Sequence, residues 1–130
     1  MQRNTRTYSD LNLLFSKHPV SGDVNKKVDE EAIKSSLRNL ISTKNYERPF
    51  HPEIGCQIHK LLFENLTSVT VQIMKRTIID VIKKFEPRVS VINVKFREYS
   101  EANGVAVDII FKINNSDRPI TLTTLISRVR

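Results

Sequence analysis

A chain of 130 residues, 39% hydrophobic and 27% charged, fits one ordinary globular domain with a real core and excludes a disordered polymer. No apolar run approaches the ~20 residues of a bilayer span, the charged start MQRNTRTYSD lacks a signal-peptide core, and a lone Cys56 excludes an internal disulfide framework. These features predict a cytoplasmic protein, and the net charge of +7 with a pI near 9.8 raises the question of a nucleic-acid partner.

The basic excess is +3 over residues 1–44, +2 over 45–85 and +2 over 86–130, so it is spread evenly. Lys26-Lys27, Lys75-Arg76 and Lys83-Lys84 are pairs, not blocks. An acidic protein partner, or solubility alone, explains this at least as well as nucleic acid.

Residues 1–28 show no clean period; Tyr8, Leu11, Leu13, Leu14 and Phe15 precede the turn formers His18-Pro19 and Ser21-Gly22-Asp23. They read as an arm with a short extended piece that docks onto something, followed by a loop. Asp29 then suits an N-cap, with Glu30 and Glu31 favourable at a helix N-terminus. Ile33, Leu37, Leu40 and Ile41 share one face of a helix predicted over about 30–43.

Residues 45–57, NYERPFHPEIGCQ, carry two prolines and one of three glycines, which predicts a loop of fixed shape. Ile58, Leu61, Leu62 and Phe63 form an apolar knot of one or two helical turns. Thr67 or Ser68 caps a second long helix reaching Phe85, with Ile73, Ile78, Ile82 and Phe85 as its apolar stripe and Met74 and Val81 beside it.

Beyond Pro87 the period becomes two. Val89 to Tyr99 is strand-like but out of phase near Val91, where a bulge, or burial on both faces, would account for the shift. Asn103-Gly104 signals a hairpin turn, and Val105, Val107, Ile109, Phe111 and Ile113 alternate without a break. After a turn at Asn114–Pro119, Ile120, Leu122 and Ile126 mark a Thr-rich third strand. The fold class is α+β: two main helices packed on an antiparallel sheet of three or more strands, with an N-terminal arm. The expected organisation is one domain over 1–130, with arm and loop at 1–28, helices at 29–85 and a β-meander at 88–130.

Few residues suggest catalysis. His51, Cys56 and His59 have a His-x4-Cys-x2-His spacing that fits no standard zinc site, so neither metal nor cofactor is expected. Glu64 and Glu86 are the only carboxylate pair worth weighing for glycoside cleavage, and the absence of Trp argues against sugar stacking. Glu86-Pro87-Arg88 reads in two ways. It is helix-stopping punctuation with solvated charges, or a stiff corner that aims a carboxylate and a guanidinium at a partner or back at the arm. The last strand has Thr121, Thr123 and Thr124, no internal proline and no charge before Arg128. That is a poorly guarded edge, open to a strand from another chain or covered by the arm.

Three stretches in this order, YSDLNLLF, SLRNLISTKNYERPFHPEIGCQIHKLLFEN and KKFEPRVSV, resemble the sheath-initiating baseplate wedge family of contractile-tailed phages. The T-even type is the most similar, and the family is shared with type VI secretion baseplates. Arg48-Pro49-Phe50 with Pro52-Glu53-Ile54-Gly55-Cys56, Leu62-Phe63-Glu64-Asn65, and Glu86-Pro87-Arg88 are its most specific parts. Ile54, where an aromatic is expected, and His51 and His59 are small departures.

The resemblance implies a non-enzymatic virion protein of the inner tail baseplate, made late and assembled in the host cytoplasm. Its implied partners are other wedge subunits and the tail sheath protein, with tube or hub proteins as further candidates and nucleic acid disfavoured. It implies that Glu86, Pro87 and Arg88 bind the helical core of the wedge, and that sheath subunits join by strand exchange begun on this chain. Family members have carried a lysozyme label, which makes a tail peptidoglycan hydrolase the alternative.

Overall fold

The computed structural model describes residues 8–12, 14–23, 26–99, 103–114 and 116–128. The elements are β1 (Ser9–Leu11), β2 (Lys26–Val28), α1 (Asp29–Ser42), α2 (Ile58–Leu61), α3 (Ser68–Phe85), β3 (Val89–Tyr99), β4 (Gly104–Ile113) and β5 (Pro119–Ser127). The class is α+β, as the hydrophobic periods predict. The chain divides into an N-terminal unit that ends at Ser36 and a larger unit that begins at Leu37, the boundary falling within α1.

In the N-terminal unit β1 and β2 form an antiparallel ladder, Ser9 facing Val28 and Leu11 facing Lys26. The extended piece of the arm therefore docks on β2. Between the strands, His18 turns the chain: its Nδ1 accepts from the Val20 and Ser21 N–H groups, and its carbonyl accepts from Gly22. Asp29 does more than begin a helix. Its carboxylate accepts from the Tyr8 N–H at 3.1 Å and its own N–H donates to the Tyr8 carbonyl at 2.7 Å. This clamp accompanies a left-handed φ of 48° at Asp29. The predicted Leu13 position lies outside the described residues.

The larger unit is built on the meander β3-β4-β5, antiparallel throughout. Central β4 buries Val105, Val107, Ile109, Phe111 and Ile113. The phase problem in β3 is a bulge: the register shifts between Val91 and Asn93, leaving Ile92 half exposed. α3 packs against β3, and α2 lies against α3. Thr67 caps α3, its hydroxyl accepting from the Thr70 N–H.

One apolar assignment is corrected. The buried row on α3 is Thr70, Met74, Ile78 and Ile82, whereas Ile73 is 48% exposed and Phe85 only half-buried. At 3.6 residues per turn Ile73 sits about 140° around the helix from Ile78, so the strict four-residue row wins.

The sheet face opposite the core carries a polar clamp across all three strands. Arg97 reaches Asp108 at 2.8 and 3.0 Å, and the Thr123 hydroxyl donates to the same carboxylate at 2.7 Å. The Arg97 and Thr123 hydrogen bonds hold the Asp108 carboxyl below its usual range. A depressed folded-state pKa stabilises the fold above the unfolded pKa and loses that contribution as pH falls through the folded one. Acidifying from pH 6 to 2 should therefore cost wild type about 0.5 kcal/mol more than Asp108→Asn, a small figure because Arg97 is 65% exposed. Parallel urea titrations at the two pH values read the difference, and equal losses would show that the clamp is electrostatically idle.

Candidate assembly site

The turn from α3 into β3 brings Glu86, Pro87 and Arg88 together. Glu86 is the C-cap of α3, its N–H donating to the Ile82 carbonyl, and its carboxylate is buried at 3% exposure. Arg88 folds back onto it: Nε donates to Oε1 at 2.5 Å and the terminal NH2 donates to Oε2 at 2.7 Å. Proline between them stops the helix and limits Glu86 to the non-helical conformation this fork needs, φ −130° and ψ 73°. Pro87 is exposed and the Arg88 side chain keeps 28% of its surface. The corner is also tied to the end of β4. Asn114 donates from Nδ2 to the Pro87 carbonyl at 2.8 Å and from its backbone to the Arg88 carbonyl at 3.0 Å.

Arg88 thus reaches into its own chain, and the pair is structural before it is anything else. Glu64 and Glu86 do not share an environment: Glu64 is exposed, while Glu86 is engaged by Arg88. The three candidate metal ligands also have separate tasks. His51 pairs with Glu53 at 3.2 Å, and His59 Nε2 lies 3.3 Å from the Ile41 carbonyl. Cys56 is buried, which pushes its thiol pKa up. Among the described residues no group of His, Cys, Asp and Glu could hold a metal ion. Among the described residues no helix is long and apolar enough to cross a membrane.

The second feature is the sheet edge. Along β5, Ile120, Leu122, Thr124 and Ile126 are buried while Thr121, Thr123, Leu125 and Ser127 face out. β5 pairs with β4 on one side, and β1 belongs to a separate ladder with β2. A shallow groove of about 220 Å³ lies beside the C-terminal end of β5, with Lys44, His59, Phe63 and Leu125 in its wall. The opposite edge, β3, carries the bulge and exposed Lys95, Arg97 and Glu98.

A family described as baseplate wedge protein gp25 matches residues 27–118, spanning the three helices and strands β3 and β4. The chain belongs to that family. Baseplate wedge protein gp25 of Enterobacteria phage T4 is 32% identical to this wedge-family chain, covering 90% of this chain and 89% of its own length.

Solved structures share the fold. A protein provisionally called a tail lysozyme, from Geobacter sulfurreducens, superposes with a TM-score of 0.71 at 22% identity, over 78% of this chain and 92% of that one. A chain of the anti-feeding prophage baseplate gives 0.64 at 21% identity, over 95% and 87%. At these identities the likeness is one of fold, and the lysozyme label carries no chemistry to this chain.

Sequence reasoning found the corner and the edge but missed two things. The left-handed backbones at Tyr46 and Phe50 (φ 68° each) left no trace in residue type, since bulky side chains seldom adopt that region. The Arg97–Asp108–Thr123 clamp depends on register, which a sequence pattern does not set by itself.

Proposed function

We propose that this chain is a non-enzymatic subunit of a contractile phage tail baseplate, acting as one wedge component in the virion and assembled in the host cytoplasm. It joins the wedge to the tail sheath and starts sheath assembly by accepting a strand. The Glu86-Pro87-Arg88 corner is its contact with other wedge subunits, and tube or hub proteins are secondary candidates. The observation that carries the strand-accepting step is the β5 edge. It combines clean in–out alternation with no charged residue from 119 to 127, and it has a ladder on one side only among the described residues. β3 is the poorer acceptor, because its bulge and charges guard it.

Hydrogen exchange on the full chain with and without purified sheath protein tests this. Amides across 119–127 should slow by at least tenfold on mixing while those of α3 keep their rates. Unchanged β5 exchange in a formed complex would remove strand addition at this edge and leave the wedge role standing.

The hydrolase alternative has only the shared fold of the tail-lysozyme relative behind it. The engagement of Glu86 by Arg88 speaks against a free acid–base pair. Cell-wall release by wild type, Glu64→Gln and Glu86→Gln should be equally at background.

A further inference from the structure

We infer that the loop from Lys44 to Cys56 is a second docking element, which seats Phe50 and Tyr46 in an apolar, carboxylate-rimmed pocket on another protein subunit. The inference rests on the wedge reading above and adds a surface that the corner and the β5 edge do not use.

The loop is pinned at its base. Cys56 N–H donates to the Thr43 carbonyl at 2.9 Å, and Gly55 lies so close to the Lys44 backbone that an added Cβ would sit 2.8 Å from its carbonyl. Higher up, Tyr46 N–H donates to the Pro52 carbonyl, Glu47 N–H to the Lys44 carbonyl, and Ile54 N–H to the His51 carbonyl. A segment held this way spends little conformational entropy on binding.

What it holds up is unusual. Phe50 is 97% exposed and Tyr46 is 79% exposed. Both take a left-handed φ of 68°, a region that Gly or Asn would occupy at lower cost. A solvated surface loop gains nothing from two rings, or from strain at the residues that bear them. Strained backbone beneath outward aromatics is the pattern of a contact site.

Charge says what the site meets. Glu47 is occupied by the Lys44 N–H at 2.8 Å, and Glu53 is occupied by His51. Lys44 and Arg48 are exposed and make no ion pair among the described residues. The loop therefore presents two rings beneath a positive field, which complements an apolar pocket with an acidic rim. A bilayer rewards depth of insertion and is indifferent to side-chain direction. Backbone strain that fixes direction matches a shaped protein pocket instead.

The test uses the full chain with purified wedge subunits of the same tail. Phe50→Ala should weaken the complex at least tenfold with the melting temperature held. Phe50→Gly should weaken it equally while raising the melting temperature, because the left-handed strain is relieved. Arg48→Glu should weaken binding and flatten its salt dependence.

A photoreactive benzoylphenylalanine at position 50 should cross-link to a subunit segment containing Asp or Glu. Wild-type binding retained within twofold by all three variants would overturn the docking loop and leave the wedge role intact. No complex with wild type would overturn both. A cross-link to a second copy of this chain, binding to phosphatidylglycerol vesicles that Phe50→Ala abolishes, or a melting temperature lowered by Phe50→Gly would each overturn the assignment.

Discussion

Arg88→Ala is expected to lower the melting temperature by roughly 10 °C, equivalent to about 2–3 kcal/mol. The Glu86 carboxylate is almost wholly buried and receives two charge-assisted hydrogen bonds from that guanidinium. Truncating one partner of a fully buried ion pair typically costs about 3–5 kcal/mol. The lower figure applies here because Arg88 itself remains 28% exposed, so water relieves part of the loss. Arg88→Lys keeps the charge but not the fork, and should recover less than half of the deficit.

Thermal melts of the three proteins decide the point. A melt within 1 °C of wild type in Arg88→Ala would show that the pair is dispensable to the fold and that Arg88 is reserved for a partner. The same numbers bear on any assembly assay, because a binding defect in Arg88→Ala mixes lost contact with lost fold. Arg88→Lys, measured below the melting range of both proteins, separates the two.

Gly55→Ala should destabilise by roughly 3 kcal/mol, with the damage localised to the loop. The glycine sits at φ 149°, outside the range of an ordinary L-residue, and the new methyl would meet the Lys44 carbonyl carbon and oxygen at 2.8 Å and the Asn45 nitrogen at 2.9 Å. These are backbone atoms, so no side chain can swing aside. Relief requires parting the strands of the loop and stretching the Cys56–Thr43 hydrogen bond. Urea denaturation reads the energy, and faster exchange of the Tyr46 and Cys56 amides reads the place. A stability within 0.5 kcal/mol of wild type would mean that the loop opens easily, which would also remove the preorganisation argued for Phe50.

Much of this was legible in the residues. The unbroken alternation from Val105 to Ile113 forced a strand, because only a period of two buries all five side chains on one face. The out-of-phase Val89–Phe96 segment left a bulge or burial on both faces open, and the register shift between Val91 and Asn93 decides for the bulge. Thr67 was readable as a cap, and Asn103-Gly104 as the turn entering β4.

Ile73 misled because a helix tolerates apolar residues on either flank of its buried row, and composition does not say which flank faces out. The Glu86–Arg88 fork was legible only as an alternative. Two charges around a proline can point outward or at one another, and burial of the helix end decides between them. The left-handed Tyr46 and Phe50 were illegible, since strain opposes local preference and is visible only where the surrounding hydrogen bonds impose it.

The Asn114 tie between the α3–β3 corner and the end of β4 has a mechanical consequence. A baseplate subunit works under load when its tail contracts. A pull applied at Pro87 or Arg88 enters β3 along the chain, and the two Asn114 hydrogen bonds share it with β4, which among the described strands is the one laddered on both sides. Load entering along β4 must shear two rows of hydrogen bonds at once, whereas the same pull on a free edge would unzip them singly. The corner is therefore a handle whose load the central strand shares, and β5, two strands away from it, is the strand it stresses least.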